Sequence, residues 1–396
     1  MSTPQSELVD ENNNIKSNGL RVLTPSLCKI TDELNGAYEL ELEQPVTEDG
    51  EWRLIVENNL LSANGQLFII YRVVSAFDEN VGSVYAYARH IFYALNDRWG
   101  NTIITSAQDP EFVLGFIMDN ATNNDIDPKT KEYIDGVTPY EFTYSTDLKE
   151  KSEAFTGQEL TATTLTETII GSSESFVSVY GGEIYRNNFY FSINTRREDA
   201  QDNAFVINIG MNLTGIEKDV DFSDYLTHLE AAADDLETQY FSNFDPNIYP
   251  RTVTRRVEFN LSEGSTAKTL EALGKSYLAR YNKPTVTITV DLKAIPENSD
   301  LKKYLPSEFK TGNTGYVYDE RLEILMEMEI SKTVYNVLTD EVETVEFNND
   351  SYEYVRNSDY QNVISDRIAG ETFGGFITSE NMLFEESTGN KFEVSE

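Results

Sequence analysis

Hydrophobic and polar positions alternate along much of this chain. The clearest instance runs from Ile30 to Glu43. Tyr38, Leu40 and Leu42 fall on one side of a strand, and Glu39, Glu41 and Glu43 on the other. Asn35-Gly36 before them predicts a hairpin with a type I′ turn, in which both residues take positive φ. Leu67 to Val74 and Ser83 to Phe92 predict two more strands, and Asp109-Pro110 starts a helix whose apolar stripe would be Phe112, Val113, Phe116 and Ile117. Further strands are predicted at Tyr140 to Tyr144, Ser175 to Tyr180, Glu183 to Arg186, Phe189 to Thr195 and Ala204 to Asn208, with a short helix over 161 to 170.

Beyond this block, His228 to Tyr240 is rich in Ala, Leu and Glu and predicts a helix, and Thr266 to Tyr281 predicts a stronger one, stopped by Pro284. Val286, Ile288 and Val290 then alternate with threonines, and Leu322 to Ile330 alternates apolar residues with Glu323, Glu327 and Glu329. Val334 to Leu338 and Glu343 to Phe347 continue the sheet as a meander. Residues 1 to 19 read as an arm, and no fixed-period repeat is present. At about 150 residues per domain, 396 residues predict two or three domains, mainly β with α+β parts.

Charge narrows the function. The chain carries 31 Lys+Arg against 68 Asp+Glu, a net charge of −37 at pH 7. Nucleic-acid binding needs cations to replace phosphate counterions, so stable DNA or RNA binding is excluded, and an anionic membrane surface would repel the chain. Its 23 Tyr and 21 Phe set it apart from acidic disordered chains and predict a folded, soluble protein with an acidic surface. The first 18 residues lack the basic start and apolar centre of a secretion signal. Phe112 to Met118 is far short of the roughly 20 residues that span a bilayer, so no membrane anchor is expected.

Catalytic signatures are sparse. His90 shares strand parity with Ala86 and Ala88 and reads as a packed, hydrogen-bonded histidine; His228 reads as a surface or cap residue. Cys28 is a lone cysteine of the inert kind. Gly274-Lys275-Ser276 looks like the end of a phosphate loop, but Thr269 stands where that motif needs glycine and the segment lies inside a helix pattern. Asn123, Asp125 and Asp127 resemble calcium ligands, yet Pro128 follows where glycine is required. No metal, cofactor or catalytic residue is therefore expected.

Four segments, taken in order, carry a resemblance. They are Leu34-Asn-Gly-Ala-Tyr-Glu-Leu-Glu-Leu42; Leu67-Phe-Ile-Ile-Tyr-Arg-Val73 followed by Tyr87-Ala-Arg-His-Ile-Phe-Tyr93; Gly181-Gly-Glu-Ile-Tyr-Arg-Asn-Asn-Phe189; and Gly210-Met-Asn-Leu-Thr-Gly-Ile216. Gly315-Tyr-Val-Tyr-Asp319 through Ile330 extends the set. Over residues 20 to 350 the chain resembles the N-terminal hub region of phage minor structural proteins, also called tail-associated lysins or prophage endopeptidase tail proteins. It departs from them at Tyr225 to Glu230. Many relatives continue into a peptidase, lysozyme or fibre-like domain for which the chain to Glu396 has no room, so the endopeptidase label is not carried over and no enzyme is expected.

The resemblance implies a multi-domain baseplate-hub fold with two β-barrel-like domains and smaller α/β inserts. The divisions would be an arm at 1–19, a first barrel-like domain at 20–118, an α+β junction at 119–174, a second region at 175–283, closing barrel strands at 284–350 and a C-terminal extension at 351–396. It further implies a homotrimer at the virion's tail tip, assembled in the host cytoplasm. That trimer would meet the distal tail protein, the tape measure protein and a tail fibre or receptor-binding protein, and would close the tube until DNA leaves. Glu39, Glu41, Glu43, Glu323, Glu327 and Glu329 are then candidate lumen-facing carboxylates that repel passing phosphate. Two other classes stay open: a cell-wall hydrolase using a carboxylate pair, and a glycan- or receptor-binding module using Tyr and Phe as stacking platforms.

Overall fold

The computed structural model describes residues 5–16, 19–77, 82–99, 107–119, 121–123, 140–156, 163–171, 175–208, 216–244, 251–261, 263–291, 309–319 and 324–348. Glu323, Asp125, Asp127 and the extension at 351–396 lie outside them.

In chain order, a short helix α1 (Gln5–Leu8) precedes strands β1 (Leu27–Glu33), β2 (Tyr38–Pro45), β3 (Leu60–Ala63), β4 (Gln66–Phe77) and β5 (Gly82–His90). Next come β6 (Arg98–Trp99), α2 (Pro110–Asp119), β7 (Thr122–Asn123), β8 (Thr143–Thr146), α3 (Leu165–Ile169), α4 (Phe176–Tyr180), β9 (Glu183–Asn187), β10 (Tyr190–Asn194), β11 (Phe205–Asn208) and β12 (Ile216–Asp221). The rest are β13 (His228–Ala232), β14 (Gln239–Ser242), β15 (Thr254–Glu258), a helix α5 (Ala267–Tyr281), β16 (Thr285–Asp291), β17 (Thr314–Asp319), β18 (Ile324–Asn336) and β19 (Glu341–Asn348).

An 11-stranded sheet organises the molecule, in the order β12-β16-β19-β18-β1-β2-β5-β4-β3, with β17 also on β18 and β11 on β17. Strand β18 is its keystone. One edge pairs with β19, and the other serves β17 along Ile324–Glu329 and then β1 along Lys332–Asn336. Early and late parts of the chain thus share one hydrogen-bonded sheet. Among the described residues its pairings follow an open path, and no closed barrel forms.

Hydrophobic cores hold the elements together. Cys28, Ile30, Leu40, Leu42, Phe68, Ile70, Ala86 and Ala88 pack on the inner face of β1, β2, β4 and β5. A second core gathers Phe92, Leu95, Val113, Leu114, Ile117, Leu165, Phe176, Phe189 and Phe191 around the small sheet β8-β10-β9. The third sets α5 (Leu270, Leu273 and Leu278) on Leu229 and Ala231 of the β14-β13-β15 sheet.

Several elements differ from the sequence reading. The segment Ser175 to Tyr180 is helical rather than extended: the Ser175 hydroxyl accepts from the Ser178 N–H at the N-cap, and Phe176 meets Tyr180 one turn on, with ring centroids 4.9 Å apart. His228 to Tyr240 is not a helix but the hairpin β13–β14. Asp235 takes φ 64° in its turn, and parallel pairing of β13 with β15 overrides the helical propensity of the alanines. The buried stripe of α2 is Val113, Leu114 and Ile117, with Phe112 turned outward. Val334 is not in a separate strand; β18 runs through it to Asn336 with register shifts at Ile330/Lys332 and Val334/Tyr335. In the β1–β2 turn only Asn35 is left-handed, at φ 52°, so the type I′ expectation fails; the Glu33 N–H bonds to the Ala37 carbonyl across a three-residue loop.

Candidate functional site

The outward face of β2, β5 and β4 carries cross-strand rows of charge and aromatic rings. Register places Glu39 opposite Arg89, Glu41 opposite Tyr87 and Glu43 opposite Tyr85, and sets Tyr87 opposite Arg72 and Tyr85 opposite Val74. A bulge between Ile70 and Arg72 leaves Tyr71 unpaired and turns Tyr71 and Arg72 both outward. Arg89 lies 4.4 Å over the Tyr71 ring and Arg72 5.0 Å over Tyr87, so each guanidinium is held against an aromatic face.

The candidate carboxylates are distributed unevenly. Glu39 accepts from Arg89 Nε at 3.1 Å. Glu43 accepts from the Tyr85 hydroxyl at 3.0 Å, and hydrogen bonds from Ser83 and then Tyr85 hold its carboxyl below the usual range. Glu41 is exposed between them, and Glu327 is exposed on β18. Glu329 is drawn inward instead, where it pairs with Arg196.

Beneath this face the large sheet is clasped to the small sheet. Arg186 of β9 is 2% exposed and donates to the Gly36 carbonyl at 2.8 Å, in the β1–β2 turn, and to the Glu33 carbonyl at 3.0 Å, at the end of β1. It pairs with Asp32 at 3.4 Å, and Arg197 reaches the other Asp32 oxygen at 2.7 Å. Arg196 ties Glu183 (2.5 Å) to Glu329. Asn35 at the turn donates to the Gly182 carbonyl (2.9 Å) and accepts from the Ile184 N–H (2.8 Å). Asn188, in the β9–β10 turn, donates to the Gly65 carbonyl (3.0 Å) and accepts from the Leu67 N–H (2.9 Å). Buried charges of this kind are stable only when paired and hydrogen-bonded.

The histidines are structural. His90 is fully buried and stacks on Tyr38 at 4.6 Å. Its Nδ1 accepts from the Phe92 N–H at 3.2 Å, so Nε2–H is the donor to Gln66 Oε1 at 3.0 Å. Burial, then the charges of Arg186 and Arg197, hold it neutral with a pKa well below 6.5. His228 meets Thr227 and Ser242 hydroxyls at 2.8 and 3.1 Å. Gly274 lies inside α5, where a Cβ would come within 2.4 Å of the Phe241 ring; close helix–strand packing explains the glycine in Gly274-Lys275-Ser276. Among the described residues no three His, Cys, Asp or Glu side chains converge to hold a metal ion, and no helix is long and apolar enough to cross a membrane.

Two family models match the chain. The prophage endopeptidase tail N-terminal domain matches residues 8–90, and the prophage endopeptidase tail matches residues 201–356, more than half of the sequence between them. The chain belongs to the prophage endopeptidase tail family. Its fold is similar to three solved tail proteins. Prophage tail protein gp18 from Listeria monocytogenes EGD-e has a TM-score of 0.54 at 13% identity, over 89% of this chain and 94% of that one. The tail protein from Neisseria meningitidis MC58 has a TM-score of 0.53 at 12% identity, over 82% and 92%. The 43 kDa tail protein of prophage MuSo2 from Shewanella oneidensis has a TM-score of 0.52 at 11% identity, over 85% and 97%. No curated protein matches the sequence. This member of the prophage endopeptidase tail family is mainly β, and its two family-matched segments meet where β1 pairs with β18. Sequence reasoning found the carboxylate face but missed the Arg186 clasp. The one available signal was a charged residue at an inward-facing strand position, Arg186 following Ile184 in β9.

Proposed function

We propose that this tail protein is the structural hub of the tail tip. Three copies close the distal end of the tail tube and open for DNA passage at infection. One observation carries the reading: both family-matched segments are woven through β18 into a single sheet with a broad outward face, which suits a rigid ring segment. The exposed Glu41 and Glu327, with Glu39 and Glu43 beside Glu41, are the carboxylates proposed to face the channel. Tripled by symmetry, a surface of this sign repels phosphate and lets DNA slide. The 20–118 and 284–350 segments act as the two ring-forming parts, and a tail fibre or receptor-binding protein is a further partner. The distal tail protein lies above, and the tape measure protein passes through. The role is non-enzymatic, and assembly takes place in the host cytoplasm.

Imaging of assembled tails tests this. Threefold density for this chain at the distal end of the tube, around an acidic channel, is the expected result. A position away from the tip, or a neutral or basic channel, overturns it. So does a lysis band on Gram-positive cell walls that one carboxylate change abolishes.

A further inference from the structure

Among the described residues the large sheet leaves several strand edges uncovered, two of them at the opposite ends of its main path. At one end, β3 and residues 58–59 cover β4 only as far as Ile70. From Tyr71 to Phe77 the outer edge of β4 meets no strand among the described residues, while β5 pairs its inner edge from Arg72 to Phe77. At the other end β12 pairs, among the described residues, with β16 alone. An uncovered edge presents a row of N–H and C=O groups that template another strand, and soluble proteins blunt such edges with Pro, charged side chains or bulges. In the stretch Tyr-Arg-Val-Val-Ser-Ala-Phe from 71 to 77 the bulge and the one charge, Arg72, lie at the start, and Val73 to Phe77 contains no Pro, no charge and no bulge.

The two edges complement each other. Arg72 is the charge on the β4 edge, whereas β12 carries Glu217, Asp219 and Asp221 against Lys218. Val74 and Phe77 are 37% and 62% exposed on the first; Val220 on β12 and Phe222 just beyond it are 36% and 50% exposed on the second. Their lengths match, at seven residues against six. They stand at opposite ends of one sheet, so joining them is a head-to-tail contact, the kind that closes into a ring.

We infer that the β4 edge at Tyr71–Phe77 of one copy pairs with β12 of the next, so that the sheet continues from copy to copy by strand addition. Main-chain hydrogen bonds supply the affinity, and the Arg72 and acidic β12 side chains set the polarity. The inference rests on the trimer proposed above and names its interface.

The full-length chain tests it in two forms. Ser75→Pro removes an edge N–H without touching a buried side chain, and its thermal unfolding is recorded beside the wild type. Val74→Cys with Asp219→Cys, both exposed, is treated with a short bis-maleimide; Cys28 is buried and does not compete. Light scattering and denaturing gels read the products. Covalent trimers from the double variant, with loss of the wild-type trimer in a folded Ser75→Pro chain, are expected. A wild-type trimer that Ser75→Pro leaves intact, with no cross-link, overturns the edge pairing and leaves the trimer standing. Covalent ladders beyond three support the edge pairing and overturn threefold closure. A monomer that never cross-links overturns both; if Ser75→Pro also keeps that chain out of tails, the edge serves another tail protein.

Discussion

Asn35 and Asn188 make the same pair of hydrogen bonds in opposite directions. Each sits in a hairpin turn with positive φ, 52° and 48°, and each spends its amide on one carbonyl just before a strand of the other sheet and one N–H within that strand, Asn188 donating to the Asn13 carbonyl as well. The two sheets are thereby clipped from both sides.

Asn35→Gly and Asn188→Gly keep the backbone conformation and delete the clips, because glycine tolerates positive φ. Each is expected to cost about 1–3 kcal/mol through buried groups left unsatisfied. Asn188 should cost more, being 1% exposed. Urea unfolding checks this; an unchanged midpoint in either variant contradicts it.

Arg186→Met keeps the volume and removes the charge. Asp32 is left facing Arg197, and the Gly36 carbonyl keeps only the Tyr93 hydroxyl at 2.8 Å. Breaking one partner of a buried pair costs about 3–5 kcal/mol, and the melting temperature measures it. Hydrogen exchange in the β1–β2 turn should rise in the same variant.

His90 makes stability depend on pH. Its folded pKa is lowered well below 6.5, so below that value the unfolded chain binds the proton that the folded chain refuses. The His90 contribution is complete above 6.5 and is lost as pH falls below it, by at most about 1.4 kcal/mol per pH unit. His90→Gln, which offers one donor and one acceptor, should flatten the loss between about pH 7 and about pH 5. Urea midpoints across that range read it.

Burial pushes the Cys28 thiol up to about 11. Thiol reagents at mildly alkaline pH should therefore label it slowly in the folded chain and fast in urea. Fast labelling of the native protein would mean that β1 opens readily from the sheet.

Gly274→Ala should destabilise α5 although alanine is the better helix former by about 1 kcal/mol. The new Cβ would meet the Phe241 ring at 2.4 Å. Phe241→Leu in the same chain should recover part of the loss, and a double-mutant cycle measures the coupling.

The strands were legible where one face is buried and the other wet. Tyr38 to Glu43 shows this plainly, because period-two alternation is a local signal. Two segments were not. Ser175 to Tyr180 alternates like a strand, but a single hydroxyl cap decides it; His228 to Tyr240 has helical composition, but β15 recruits it. The outward Glu39, Glu41 and Glu43 came from pattern alone. The inward turn of Glu329 did not, since its partner Arg196 lies far away in sequence, and the same holds for Arg186 and the β1–β2 turn.

Strand β18 has a consequence for how the protein is made. Leu27–Glu33 emerges from the ribosome early, yet one of its two partners is Lys332–Asn336. Until Lys332–Asn336 has been made, β1 has one naked side. Contacts so distant in sequence slow folding and leave a sticky intermediate. The nascent chain therefore passes through a stage that favours chaperone capture, which ends only when Lys332–Asn336 has been made.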